Sequence, residues 1–81
     1  DALEVRIIEA LGGADNIETV TCCASRLRVT VKDDSLIAPD TSWKNYLEAI
    51  GVVRGKNSVQ VIYGVRVVNI TTKVKDYLHL D

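Results

Sequence analysis

The 81-residue sequence contains no methionine, one proline, one tryptophan and one histidine, and its only two cysteines, Cys22 and Cys23, are adjacent. Neighbouring cysteines close a disulfide only with strain, because a bridge needs well-separated Cα atoms and suitably angled Cβ bonds. The pair therefore does not read as a structural staple, and a reducing compartment, the cytoplasm, is expected. Two adjacent thiols and His79, expected to be a solvated tail residue, fall short of the roughly four ligands of a zinc site. There is no Cys-x-x-Cys redox pair, no Walker-type glycine loop and no Gly-x-Ser-x-Gly elbow. No apolar run is long enough to cross a bilayer. The first nine residues lack the basic start of a signal peptide. The missing methionine predicts a domain excised or processed from a larger protein, whose membrane segments would lie outside this chain. Lys and Arg total 10 against 11 Asp and Glu, a net charge of −1. That balance argues against a nucleic-acid binder that blankets phosphates with positive charge. Clustered arginines could still hold one small anion.

What is present is enough apolar material for one thin core: 47% hydrophobic residues against 26% charged. Leu3, Ile7, Ala10 and Leu11 share a helical face within residues 1–11, and Gly12-Gly13 stops that helix. Ala14-Asp15-Asn16 reads as a turn. Residues 17–22 are rich in Thr, Val and Ile and read as a strand of weak alternation. The following strand alternates cleanly, with Leu27, Val29 and Val31 on one face and Arg26, Arg28, Thr30 and Lys32 on the other. Residues 32–40 are loop around Pro39. Trp43, Tyr46, Leu47 and Ile50 recur at helical spacing behind an N-cap at Asp40 or Thr41, and core packing is expected for Trp43 and Tyr46. A second hairpin follows, residues 51–54 and 58–63 around Gly55-Lys56-Asn57. Residues 65–78 have strand composition, but the spacing of Val67, Ile70, Thr71, Val74, Tyr77 and Leu78, and the length, predict a helix. The expected fold is α+β in the order α-β-β-α-β-β-α: one four-stranded antiparallel sheet with three helices on one face.

Cys23 stands at the tip of the first hairpin, and strand periodicity sends Arg26 and Arg28 to the same solvent-facing side. Two nearby cations favour thiolate over thiol, and a turn can aim successive backbone N–H groups into an anion-binding nest. Thiolate, nest and forked guanidinium groups suit a group that accepts and then holds a phosphoryl unit. The spacing is equally compatible with a small buried cysteine beside two solvated arginines. Asp33 and Asp34 read as solvated loop carboxylates.

The segment Cys23-Ala24-Ser25-Arg26-Leu27-Arg28-Val29 resembles the phosphorylation-site motif of glucose-type enzyme IIB domains, from the bacterial phosphoenolpyruvate-dependent sugar phosphotransferase system. Leu11-Gly12-Gly13-Ala14-Asp15-Asn16-Ile17 resembles the opening of such domains; Gly51-Val52-Val53 and Val59-Gln60-Val61-Ile62-Tyr63-Gly64 resemble later stretches in the right order. The resemblance implies the same α+β fold and a phosphotransferase component that needs no cofactor and no metal. It implies that Cys23, rather than Cys22, becomes phosphocysteine, because Cys23 stands three residues before Arg26. It implies phosphate contacts from Ala24, Ser25, Arg26, Arg28 and Gln60. Its implied donor is a phosphohistidine on enzyme IIA. Its implied acceptor is a sugar held by the membrane-embedded enzyme IIC, with no nucleic-acid partner. The implied setting is the cytoplasmic face of the bacterial inner membrane, as a domain of a membrane protein. Cys22 and the small Ala24 depart from the usual pattern without removing a phosphate ligand. The alternative is a regulatory or interaction module whose thiol senses redox state or is inert.

Overall fold

The computed structural model describes residues 1–80. Four strands, β1 (Ile17–Cys22), β2 (Arg26–Val31), β3 (Gly51–Gly55) and β4 (Ser58–Ile62), form one antiparallel sheet in the spatial order β1-β2-β4-β3. Helices α1 (Leu3–Ala10), α2 (Asp40–Tyr46) and α3 (Val67–Leu78) complete the expected order. Short 3-10 turns at Ala14–Asn16, Asp34–Leu36 and Gly64–Arg66 join the elements. Helix α3 packs on β1 and β2, α1 packs on α3, and α2 packs on β3. No helix among the described residues is long and apolar enough to cross a membrane.

The two faces of the sheet follow from the period of two. Leu27, Val29 and Val31 of β2 and Val59 and Val61 of β4 are buried against Ile7, Leu11, Trp43, Val67 and Val74. Because Leu27 pairs with Val61 and Val29 with Val59, the intervening pairs Arg26–Ile62, Arg28–Gln60 and Thr30–Ser58 lie on the opposite face. Strand β1 alternates weakly because it is an edge strand with a register shift between Ile17 and Thr19, and only Val20 is fully buried.

The second helix differs from the reading of the sequence. It ends at Tyr46, its N-cap is Pro39, and neither Asp40 nor Thr41 caps it. Tyr46 and Ile50 are 70% and 68% exposed, whereas Leu47 and Ala49 are buried. Beyond Tyr46 the helix has already ended at its C-cap, Leu47, and Glu48, with a φ of 61°, turns the chain so that Ile50 leaves the helical face. The Ile50 amide then donates to the Ile62 carbonyl at 2.8 Å, which launches β3. The final helix starts at Val67, after the 3-10 turn, with Val67, Ile70, Thr71 and Val74 buried and Tyr77 exposed.

Asn16, expected as an ordinary turn residue, is 5% exposed. Its Nδ2 donates to the Leu11 carbonyl at 2.8 Å and the Asp33 carbonyl at 3.0 Å, and its Oδ1 accepts from the Asp33 amide at 3.0 Å. One side chain thus ties the end of α1 to the segment after β2. Gly12 makes room for it, since a Cβ there would stand 2.6 Å from Asn16 Nδ2. Asn16→Ala strands the Leu11 carbonyl and the Asp33 amide and takes one of two donors from the Asp33 carbonyl, so it should lower the unfolding free energy by about 2–4 kcal/mol. The check is a lower denaturant midpoint at unchanged m-value. A loss below about 0.5 kcal/mol, within the scatter of ordinary surface substitutions, would contradict that role.

Candidate functional site

The β1–β2 hairpin closes through Cys22 opposite Leu27 and through the Cys23 amide donating to the Arg26 carbonyl at 3.0 Å. Residues 23–25 form the tip. Cys22, Cys23 and Ala24 are exposed, and both cysteines are free thiols. The backbone N–H groups of Ser25 and Arg26 lie near enough to the Cys23 sulfur to favour its ionised form. These hold its pKa below the ordinary thiol value: the Ser25 amide acts most strongly, desolvation by the surrounding chain opposes it, and the Arg26 amide and the Arg28 and Arg26 charges reinforce it. Strand alternation puts Cys22 on the opposite side of the chain from Cys23.

Arg26 is half-buried and Arg28 exposed. Arg26 Nη1 donates to Gln60 Oε1 at 3.1 Å, the diagonal neighbour that the antiparallel register provides. The ion pairs found join Arg6 and Arg66 to Glu48 and Arg54 to Asp40. Among the described residues, neither Arg26 nor Arg28 is paired with a carboxylate. Two guanidinium groups free of carboxylate partners therefore share the outer sheet face beside the thiol, one of them held by Gln60. That face carries a shallow depression of about 280 Å³, lined by Thr19, Thr21, Arg28, Thr30, Ser58 and Gln60. A larger hollow, about 340 Å³, lies away from the thiol and is lined by Leu3, Glu48, Arg66, Asn69, Ile70 and Lys73 among others.

Of the candidate residues, Cys23, Ser25, Arg26, Arg28 and Gln60 come together. Ala24 sits at the exposed tip, and the amides that favour the thiolate are those of Ser25 and Arg26. His79 terminates α3 in a left-handed conformation, exposed and outside the site. Asp33 and Asp34 have turn duties: Asp33 accepts from the Ser35 amide and hydroxyl, which lower its pKa, and Asp34 accepts from the Asn57 amide at 2.9 Å. Among the described residues, no group of three or more His, Cys, Asp or Glu side chains could hold a metal ion. Reasoning from the sequence missed the support beneath the hairpin. The Ser25 carbonyl accepts from the amides of Tyr63 and Gly64, at 2.9 and 3.0 Å. A glycine just beyond β4 was the available signal.

Residues 5–37 match the family described as phosphotransferase system, EIIB. A crystal structure titled as one domain of the PTS system IIabc component from Clostridium difficile superposes with a TM-score of 0.72. It is 33% identical, and the match covers 98% of this chain and 85% of that one. This chain belongs to the EIIB family of the phosphotransferase system. The EIIB chain is also 49% identical, over 89% of its length, to the PTS system maltose-specific EIICB component of Bacillus subtilis. Over 78% of its length it is 51% identical to the arbutin-, cellobiose- and salicin-specific EIIBC component of Escherichia coli. The matches span 14% and 13% of those two proteins. The hairpin from Cys22 to Val31 lies wholly inside the EIIB match.

Proposed function

We propose that Cys23 carries a phosphoryl group between two protein partners: it takes the group from a phosphohistidine of enzyme IIA and gives it to a sugar bound by membrane-embedded enzyme IIC. The observation that carries this reading is the exposed Cys23 sulfur at the hairpin tip, with the Ser25 and Arg26 backbone amides and the Arg28 and Arg26 charges all favouring its thiolate. The thiolate attacks phosphorus, an S–P bond forms, and the P–N bond breaks with its electron pair leaving on the imidazole. In the second step a sugar hydroxyl attacks, its proton is released, the S–P bond breaks and the thiolate is restored. Little covalent chemistry is asked of the protein, so positioning and charge stabilisation are what the turn amides and arginines supply. No general base is needed, because an ionised sulfur is already strongly nucleophilic.

A carrier must meet its partners in turn, which suits a thiol on a protruding hairpin better than one in a deep pocket. Ile50 and Val65 are 68% and 98% exposed. They border Gly64, which holds the hairpin, and offer apolar area for short-lived docking. The relatives' names join a B component to a C component in either order, and they name different sugars. Sugar choice is accordingly assigned to enzyme IIC, and residues 1–81 to a single carrier domain at the cytoplasmic face of the bacterial inner membrane. Incubated with phosphorylated enzyme IIA, the chain should gain one phosphoryl group by intact-mass spectrometry, and prior alkylation of Cys23 should block the gain. No gain, or a gain indifferent to alkylation, would overturn the proposal.

A further inference from the structure

Tyr63 has φ −118° and ψ −6°, in the right-handed region, and Gly64 has φ +67°, in the left-handed one. A right-handed residue followed by a left-handed one points successive N–H groups into one concavity, which ordinarily cradles an anion. Here the concavity is filled by the chain itself: both amides donate to the Ser25 carbonyl oxygen. That oxygen and the Arg26 N–H belong to the same peptide unit. Charge drawn toward the carbonyl by two donors makes the N–H at the other end a stronger donor, as in any hydrogen-bonded chain. Arg26 also closes the hairpin, its carbonyl accepting from the Cys23 amide at 3.0 Å, and its N–H is one of the two backbone groups that favour the Cys23 thiolate.

The pair of amides is itself anchored. Tyr63 is 3% exposed and its hydroxyl donates to the Leu47 carbonyl at 2.8 Å. Arg66, two residues beyond Gly64, pairs with Glu48 at 2.9 Å. The Ser25–Arg26 peptide is therefore tied to the core through backbone groups nearly forty positions away in sequence.

We propose that Gly64 is a positioning residue for the Cys23 thiolate: its left-handed backbone lets the Tyr63 and Gly64 amides grip the Ser25 carbonyl and so aim and polarise the Arg26 amide at the sulfur. The importance for phosphoryl transfer rests on reading Cys23 as the acceptor; the effect on the thiol does not. A Cβ at Gly64 would meet only Ile50 Cδ1, at an ordinary 3.5 Å, so the constraint there is conformational and not steric. Alanine resists the left-handed region, whereas asparagine visits it readily.

The test measures the pH dependence of iodoacetamide alkylation at Cys23 in a Cys22→Ser background, with Gly64→Ala and Gly64→Asn. Thiolate forms as pH rises through the pKa, so a weakened grip moves the profile to higher pH, toward the ~8.5 of a free cysteine. The expected result is an upward shift for Gly64→Ala and a retained profile for Gly64→Asn. A folded Gly64→Ala chain with an unmoved profile, or an equal shift in both variants, would overturn the proposal. Should Gly64→Ala not fold, amide exchange in the unsubstituted chain decides: Tyr63 and Gly64 amides should be protected, and exchange at unprotected rates would refute the grip. Phosphoryl loading of the unsubstituted chain is scored separately. If it fails while the alkylation shift appears, the acceptor reading falls and the positioning role stands; the converse outcome sinks only the positioning role.

Discussion

Cys23→Ser is expected to end phosphoryl loading, with the rate from phosphorylated enzyme IIA falling ~10³-fold or more, the scale of a missing general base. The substitution preserves shape and hydrogen-bonding capacity but replaces a group that ionises near neutrality with one that does not. A serine hydroxyl becomes nucleophilic only when a neighbouring base takes its proton, and the surroundings supply none. The groups that act on the sulfur are the Ser25 and Arg26 amides and two guanidinium charges, and His79 lies at the end of α3. All four donate or repel a proton; none accepts one. Cys22→Ser should load normally, since Cys22 lies on the other side of the chain. Intact-mass spectrometry of the two variants reads both results. A stoichiometric, acid-stable phosphate on the Cys23→Ser chain would defeat the assignment, because it would show an oxygen nucleophile activated where no base is present.

The arginines should separate the two half-reactions. Arg26→Lys and Arg28→Lys are each expected to slow delivery of the phosphoryl group to sugar about 10–100-fold, the equivalent of one charge-assisted hydrogen bond. Loading should drop only a few-fold. On loading, the incoming phosphoryl group arrives still held by the donor protein. On delivery, the phosphocysteine must be presented by this domain alone, and the forked guanidinium group matches phosphate oxygens where an ammonium offers a single point of charge. Arg26 is already oriented by Gln60 at 3.1 Å, so Arg26→Lys also loses a preset geometry. Among the described residues Arg28 makes no such side-chain bond, and its loss should be mainly one of charge and fork. Single-turnover measurement of each step gives the comparison. Equal losses in both steps would refute the division of labour.

The distance between sequence and structure varied along the chain for definite reasons. Strand β2 was legible because alternation of Leu27, Val29 and Val31 with Arg26, Arg28 and Thr30 leaves one register that buries the valines. The same parity sends both arginines to the outer face. Residues 67–78 looked like strand by composition and folded as helix because Val67, Ile70, Thr71 and Val74 fall on one helical stripe against the sheet. Tyr46 and Ile50 fit that stripe pattern equally well and went the other way. Periodicity cannot register that the helix ends at Tyr46 and that Glu48, in a left-handed conformation, turns the chain to start β3. Asn16 looked like one more turn residue; its burial depends on Leu11 and Asp33 converging on it from both sides.

Local order of residues determined the hairpin, the side to which Arg26 and Arg28 project, and the α-β-β-α-β-β-α succession, because each depends on spacing of two or three to four positions. What surrounds the Cys23 sulfur was decided only in three dimensions. Gln60 reaches Arg26 across a pairing of strands that sets residues thirty-four positions apart side by side, and Tyr63 and Gly64 hold the Ser25 carbonyl from the end of β4. Backbone amides carry no side-chain signature, so a hydrogen bond between them leaves no mark in the order of amino acids beyond the glycine that permits it.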